Sequence, residues 1–117
     1  MNKNSILENA TTHFRNKISG EMQNIEVPEW GCKIWFKASN TLTEEGKLIK
    51  LAQDGKTIEA LVEQLIMKSR NEDGTKLFKP ADKAVFMNEV DPTVLIRVVG
   101  EMNATTDEFN LESAIKN

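Results

Sequence analysis

The chain has 117 residues, with 15 basic and 18 acidic side chains that give a formal net charge of −3. This length predicts one domain with a real but modest core. One cysteine and one histidine exclude a disulfide within the chain and disfavour a zinc cluster. Because acidic and basic residues are interspersed, the sequence lacks the strongly basic surface expected of a nucleic-acid-binding domain.

No apolar run reaches the roughly 18 residues needed to cross a bilayer, and the first residues, MNKNSILENATTHF, contain no apolar signal core. A lone cysteine is typical of a reducing compartment. We therefore expect an intracellular protein.

The N-terminal segment predicts a helix over residues 5–18. Ser5 and Glu8 have the spacing of a capping box, and Gly20 is a typical C-terminal stop. The apolar residues of this helix recur near helical spacing: Leu7, Ala10, Phe14 and Ile18.

Two alternating runs around the segment VPEWG predict a β-hairpin at about residues 23–38. Pro28 presets the turn, and Gly31 closes it at a positive φ. One face carries lysines and Trp35 and should be wet. The other face should cover helices; its residues are Ile25, Val27, Cys32, Ile34, Phe36 and Ala38.

Downstream of the hairpin, the apolar spacing changes to that of helices. Thr43 is the expected N-cap of the first of these helices. Asp54 and Gly55 are expected to end it. The clearest amphipathic stripe in the chain comes next, at Ile58, Leu61, Val62, Leu65 and Ile66.

The last third of the chain predicts a turn at 71–74 and an extended piece anchored by Leu77 and Phe78. Residues 81–89 should form one or two helical turns with Ala81, Ala84 and Val85 inward. Asp91 and Pro92 begin a last helix, whose inward face is Val94, Leu95, Val98, Val99 and Met102.

The predicted fold class is α+β, with the hairpin packed on four to five helices. Residues 1–104 should form the compact domain. Residues 105–117 are polar, with few apolar side chains to bury, and should be a flexible tail.

The search for chemistry finds no catalytic, cofactor-binding or metal-binding residue. His13 has no local serine or cysteine partner and is interpreted as a surface or half-buried histidine. Cys32 is interpreted as a small hydrophobe. The segment 71–74 resembles part of a calcium loop, but Leu77 and Lys79 offer no carboxylate where a ligand is needed.

Apolar side chains outside the predicted core mark a candidate partner-binding surface. Trp30 stands at a turn tip, and Trp35 faces away from the apolar side of the hairpin. The tail adds a spaced set. The candidate partner-binding residues are therefore Trp30, Trp35, Phe109, Leu111 and Ile115. Alternatively, both tryptophan rings fold back over lysine stems or neighbouring helices.

Several segments occur together in one known family. They are VPEWG (27–31), KIWFKA (33–38), LTEEGKLIKL (42–51), NEDGTKLFKPAD (71–82) and LESAIKN (111–117). In this order they resemble the tail assembly chaperones of long-tailed bacteriophages and prophages, over about residues 25–117.

The resemblance implies a protein that is not an enzyme and uses no cofactor or ATP. Such chaperones bind the long, largely helical and aggregation-prone tape measure protein, and they recruit tail tube subunits through a C-terminal extension. They act in the cytoplasm of the bacterial host and are absent from the mature virion. Homo-oligomers are possible; nucleic acid and membrane are not expected partners.

A chaperone for apolar helical stripes needs a matching apolar surface. The predicted fold offers two: the hairpin with its tryptophans, and a groove between the last helices. A small phage nucleic-acid-binding regulator is the alternative function, since Lys33 and Lys37 flank Trp35, although the charge balance disfavours it. A small enzyme using acidic pairs such as Glu44 and Glu45 is disfavoured because no base and nucleophile are paired.

Overall fold

The computed structural model describes residues 2–20, 22–37 and 39–104. This part of the chain contains five α-helices and a three-stranded antiparallel sheet, which confirms the predicted α+β class. None of its helices combines the length and apolar character that a bilayer crossing requires. The elements in chain order are α1 (Lys3–Ser19), β1 (Gln23–Val27), β2 (Cys32–Phe36), α2 (Leu42–Gln53), α3 (Thr57–Lys68), β3 (Ser69–Arg70), α4 (Lys83–Asn88) and α5 (Pro92–Ala104).

The predicted hairpin is confirmed. Strands β1 and β2 pair antiparallel with Ile25 opposite Ile34, so the alternating apolar residues share one face. A 3₁₀ turn at Pro28–Trp30 joins them, and Gly31 closes it with φ 67°. Gly31 N–H donates to the Pro28 carbonyl at 3.0 Å. A glycine is favoured here because it adopts positive φ without the Cβ clash of other residues.

The third strand was not predicted. Ser69 and Arg70 follow α3 without a loop and pair with Phe36 and Trp35 of β2. Two residues are too few to produce a recognisable alternation in the sequence. Strand β3 forms only because the end of α3 places the backbone of Ser69 and Arg70 beside the free edge of β2.

The core lies between the inward face of the sheet and helices α3 and α5. The predicted stripe of α5 is buried in full. On α3, Leu65 is completely buried, whereas Leu61 is only partly buried and Ile58 is exposed. The core cluster consists of Ile25, Val27, Ile34, Phe36, Val62, Leu65, Ile66, Val94, Leu95, Val98, Val99 and Met102.

Two helix caps differ from the prediction. Helix α1 begins before Ser5, since Asn2 Oδ1 accepts a hydrogen bond from Ser5 N at 2.9 Å. Helix α2 is capped by Thr41, not Thr43. Thr41 Oγ1 accepts from Glu44 N at 3.1 Å, and Glu44 Oε1 accepts from Thr41 N at 2.8 Å. Only Thr41 has a Glu at the third position beyond it, which is what a capping box requires.

Some predicted inward positions are exposed. Cys32 is exposed although its strand partner Val27 is buried. The helices cover Val27 at this end of the hairpin but not Cys32. In the segment 81–89, Ala81, Ala84 and Val85 are also exposed, and a 3₁₀ turn precedes α4 and resets the helical phase. Phe86 is the residue of α4 that packs against the core.

Helix α1 confirms the predicted helix, but no described residue of it belongs to the core cluster. Leu7 is 53% exposed and Phe14 is half-buried. The Ile18 side chain and Ala38 lie outside the described residues. So do residues 105–117, with the predicted domain boundary and the candidate residues Phe109, Leu111 and Ile115.

Candidate partner-binding groove

An apolar groove lies where α3, α4 and α5 meet, between the last helices as the sequence predicted. Its volume is about 260 Å³, slightly below the roughly 300–1,000 Å³ of typical small-molecule sites. This size suits a few apolar side chains of a partner. The groove is lined by Ile58, Leu61, Val62, Phe86, Met87, Asn88, Val90, Pro92, Leu95 and Ile96.

The rim of the groove exposes apolar side chains. Ile58 is 58% exposed, Ile96 is 49% exposed and Met87 is 38% exposed. Each comes from a different helix, α3, α5 and α4 respectively. Large apolar side chains converging on one concavity from separate elements indicate a binding surface more strongly than scattered exposed residues do.

Three aromatic rings support the α4 wall of the groove. The Phe86 ring meets Phe78 edge to face, with centroids 4.8 Å apart, and lies 6.4 Å from the Trp30 ring. These distances are typical of stabilising aromatic pairs. Trp30 is half-buried and packs against the core. It therefore backs a residue that lines the groove, while Trp30 itself is not part of the lining.

Charged residues fix α4 against α3. The Lys83 ammonium lies 3.2 Å from Glu59 Oε2 and 3.3 Å from Glu63 Oε1. The hydrogen bond to Glu59 contributes most to raising the pKa of Lys83, and Glu63 adds to it. Lys47 of α2 reaches the other oxygen of Glu63 at 3.3 Å. These ion pairs fix the position of the α4 wall of the groove relative to the α3 wall.

A second charged contact connects α5 to the hairpin turn. The Arg97 guanidinium donates to both carboxylate oxygens of Glu29, at 2.6 and 3.1 Å. This bidentate hydrogen bond holds the pKa of Glu29 below its usual value. Glu29 is the residue before Trp30, so the contact also fixes the turn that carries the ring.

Trp35 lies elsewhere. It points to the face of the sheet opposite the core, half-buried, between Asn24 on β1 and Arg70 on β3. The structure thus separates Trp35 from Trp30. Next to it, Lys37 Nζ bonds Glu44 Oε1 at 2.7 Å. Because Glu44 already neutralises Lys37, the pair of lysines expected of a nucleic-acid platform is reduced to Lys33.

Burial of Glu44 opposes its ionisation and is the largest single influence on its pKa. The hydrogen bonds from Lys37 and Thr41 together outweigh it, so the pKa of Glu44 is lowered and the carboxylate stays charged. The ion pair with Lys37 joins β2 to the start of α2.

Within the described residues, no three His, Cys, Asp or Glu side chains are grouped as a metal site would require. His13 is exposed on α1. The surface position is thus the one adopted of the two that the sequence predicted. Asp73 accepts hydrogen bonds from Thr75 N at 3.0 Å and Thr75 Oγ1 at 2.6 Å. Its carboxylate closes the predicted turn at 71–74.

The sequence matches no model of a known protein family, and no curated protein is similar enough to match it. The structure, however, is similar to the solved structure of the bacteriophage HK97 tail assembly chaperone. The two superpose with a TM-score of 0.61 over 77% of this chain and 85% of that chain, at 15% sequence identity.

The fold is that of a phage tail assembly chaperone. The backbone therefore has the fold of one member of the family that the sequence motifs resemble. At 15% sequence identity, the likeness is one of backbone arrangement.

In this tail assembly chaperone fold, the sequence predicts a groove between the last helices, but it does not single out half of the ten lining residues: Phe86, Met87, Asn88, Val90 and Ile96. Phe86 and Met87 are missing from the prediction because the sequence predicts a different inward face for α4, and Val90 lies beyond the end of that helix. The contact between Arg97 and Glu29, 68 residues apart, left no signal in the sequence.

Proposed function

We propose that this protein is a non-enzymatic phage tail assembly chaperone that binds the tape measure protein and keeps it soluble. The observation that carries the proposal is the fold it shares with the HK97 tail assembly chaperone. The sequence motifs support the same assignment independently of the backbone.

The groove between α3, α4 and α5 is the proposed binding surface for the tape measure protein. A long helical protein presents apolar side chains at every third or fourth position before it is assembled. Such a stripe fits a groove with apolar residues on three helices, as in helix-in-groove recognition. Ile58, Met87 and Ile96 then contact the partner, and Trp30 and Phe86 keep the wall in place.

The assignment has consequences for where the protein acts. As a chaperone of tail assembly it works in the cytoplasm of the bacterial host and is absent from the mature virion. Residues 105–117, with Phe109, Leu111 and Ile115, are the proposed contact for tail tube subunits, as the family resemblance implies. No nucleotide, metal or nucleic acid takes part.

Co-expression with a tape measure protein from the same phage tests the function. The expected result is that the tape measure protein moves from the insoluble to the soluble fraction and co-purifies with the chaperone, without added nucleotide. If its solubility does not change, or if ATP is required, the proposed function is wrong.

The groove is tested separately with two matched variants. Ile96→Asp places a charge at the rim of the groove, whereas Val85→Asp does so on an equally exposed side chain (47% against 49%) that does not line it. We expect Ile96→Asp to abolish solubilisation and Val85→Asp to retain it, with both proteins folded by circular dichroism. If both variants remain active while the unmodified protein also works, the function stands and the groove is the wrong surface.

A further inference from the structure

Helix α1 presents an apolar face that the described part of the chain leaves largely uncovered. Ile6 and Leu7 are each 53% exposed. A shallow depression beside them is lined by Leu7, Ala10, Thr11, Phe14, Arg15 and, from α2, Leu42. Leu42 is itself 89% exposed. An apolar stripe along a helix, rather than single scattered residues, is typical of a docking surface.

The charges of α1 differ in sign from those of the chain as a whole. Its 17 residues carry Lys3, Arg15 and Lys17 against the single acid Glu8, while the whole chain has a net charge of −3. Arg15 and Lys17 lie towards its C-terminal end. A segment that binds along this helix should therefore be apolar on one side and acidic at one end.

Residues 105–117 of the same chain have this composition. Leu111, Ala114 and Ile115 have the i, i+3, i+4 spacing of one helix face. The acids Asp107 and Glu108 precede them, and Lys116 follows. If the segment runs antiparallel to α1, Asp107 falls opposite Lys17, Lys116 opposite Glu8, and the apolar residues opposite Leu7–Phe14.

The position of the end of α5 favours this arrangement. Arg97 contacts Glu29 at the turn of the hairpin, while Asn103, one and a half turns later, accepts a hydrogen bond from Gln64 of α3. Helix α5 therefore runs from the turn towards the open end of the hairpin. At that end β1 begins, with three residues between it and the end of α1, so α5 ends on the side of the domain where α1 joins it.

The length of the segment is sufficient. Thirteen residues span at most about 43 Å when extended, and helix α1 with 17 residues is about 25 Å long. The segment can thus lie along the apolar face without strain.

We propose that residues 105–117 dock along the apolar face of α1 in the same chain when no tail protein is bound. Docking is reversible, because a helix of this length has only marginal stability alone and only a few apolar side chains hold it in place. While it is docked, the segment stays next to the domain and covers the exposed apolar face of α1. The docked arrangement concerns the isolated chain, whereas the release of the segment to a tail protein rests on the proposed function.

A spin label at position 113 tests the dock. The label requires one cysteine, so Cys32, which is exposed, is replaced by Ser and Ser113 by Cys; Ser113 lies opposite Leu111 and Ile115 on a helical wheel. In a dilute sample of the full chain, we expect amide signals of residues 7–17 to lose more than half their intensity and to recover when the label is reduced.

Loss of amide signal anywhere other than along α1 of the same chain overturns the proposal. Loss of signal around Ile58 and Ile96 would place the segment in the groove, and no loss at all would leave it undocked. Loss at α1 that appears only when a labelled chain is mixed with a separate isotope-enriched chain would mean that a second copy supplies the segment.

Charge reversal supplies the matched control. In the labelled protein, Lys17→Glu should weaken the broadening of the α1 amide signals, and Asp107→Lys added to it should strengthen the broadening again. Lys76→Glu, the same reversal outside α1, should have no effect. If Lys17→Glu leaves the broadening unchanged, the antiparallel arrangement is wrong.

Discussion

Arg97 forms a bidentate hydrogen bond with Glu29, with nitrogen–oxygen distances of 2.6 and 3.1 Å. Helix α5 thereby holds the short turn that carries Trp30, and Trp30 in turn packs near Phe86 at the wall of the groove. One ion pair thus links the hairpin, the last helix and the candidate binding surface.

This ion pair predicts a pH-dependent contribution to stability. Arg97 lowers the pKa of Glu29 from its ordinary value of 4.5, so the ionised carboxylate favours the folded state. The contribution should be complete above pH 4.5 and should be lost as the pH falls through the lower pKa of the folded protein. Thermal unfolding of Arg97→Gln should therefore show a lower midpoint than the unmodified protein at pH 7.

The difference in midpoint should shrink as the pH is lowered below 4.5, and Lys56→Gln, which removes a cation elsewhere, should show no such trend. A difference that stays the same at every pH would mean that Arg97 stabilises by packing and not by its charge.

Leu65 and Ile58 lie on the same helix, but their truncation should change the unfolding free energy by very different amounts. Leu65 is completely buried, so Leu65→Ala should cost about 2–5 kcal/mol of unfolding free energy. Ile58 is 58% exposed, and Ile58→Ala should change stability by no more than about 0.5 kcal/mol while weakening binding of the tape measure protein. Urea denaturation measures both. Equal losses would contradict the described face of α3.

Gly31 and Gly46 should also respond with opposite signs. An added Cβ meets no atom within 4 Å at either position, but Gly31 has φ +67°. Gly31→Ala should therefore cost about 1–2 kcal/mol from backbone strain alone. Gly46 is inside α2, where Gly46→Ala should gain about 0.5–1 kcal/mol. Chemical denaturation measures the unfolding free energy of both variants. An unchanged unfolding free energy for Gly31→Ala would mean that the turn relaxes without strain.

Deletion of residues 105–117 should leave the thermal midpoint of the domain almost unchanged. The core cluster is complete by Met102, and no described residue of α1 contributes to it. The same deletion should weaken recruitment of tail tube subunits, which a pull-down with purified tube protein measures. If the truncated chain unfolds instead, residues 105–117 are a structural part of the domain.

The sequence by itself determined the elements whose apolar residues repeat with a clear period. The alternation around VPEWG defined the hairpin, because neighbouring strand residues must face opposite sides. The stripe from Val94 to Met102 defined α5, and the helical period required all five residues to face inward. Pro28 and Gly31 likewise fixed the turn, since Pro28 restricts φ to one region and Gly31 alone tolerates the positive φ that closes the turn. The order of the motifs also indicated the family whose fold the structure then matched.

Only the tertiary structure decided the features that depend on contacts between distant segments. Strand β3 exists because α3 places Ser69 and Arg70 beside β2, and the inward face of α4 depends on the 3₁₀ turn before it. The groove needs Ile58, Met87 and Ile96 to converge from three helices. Whether an apolar side chain is buried or offered to a partner depends on which helices cover it, and covering is a property of the packed chain rather than of the local period.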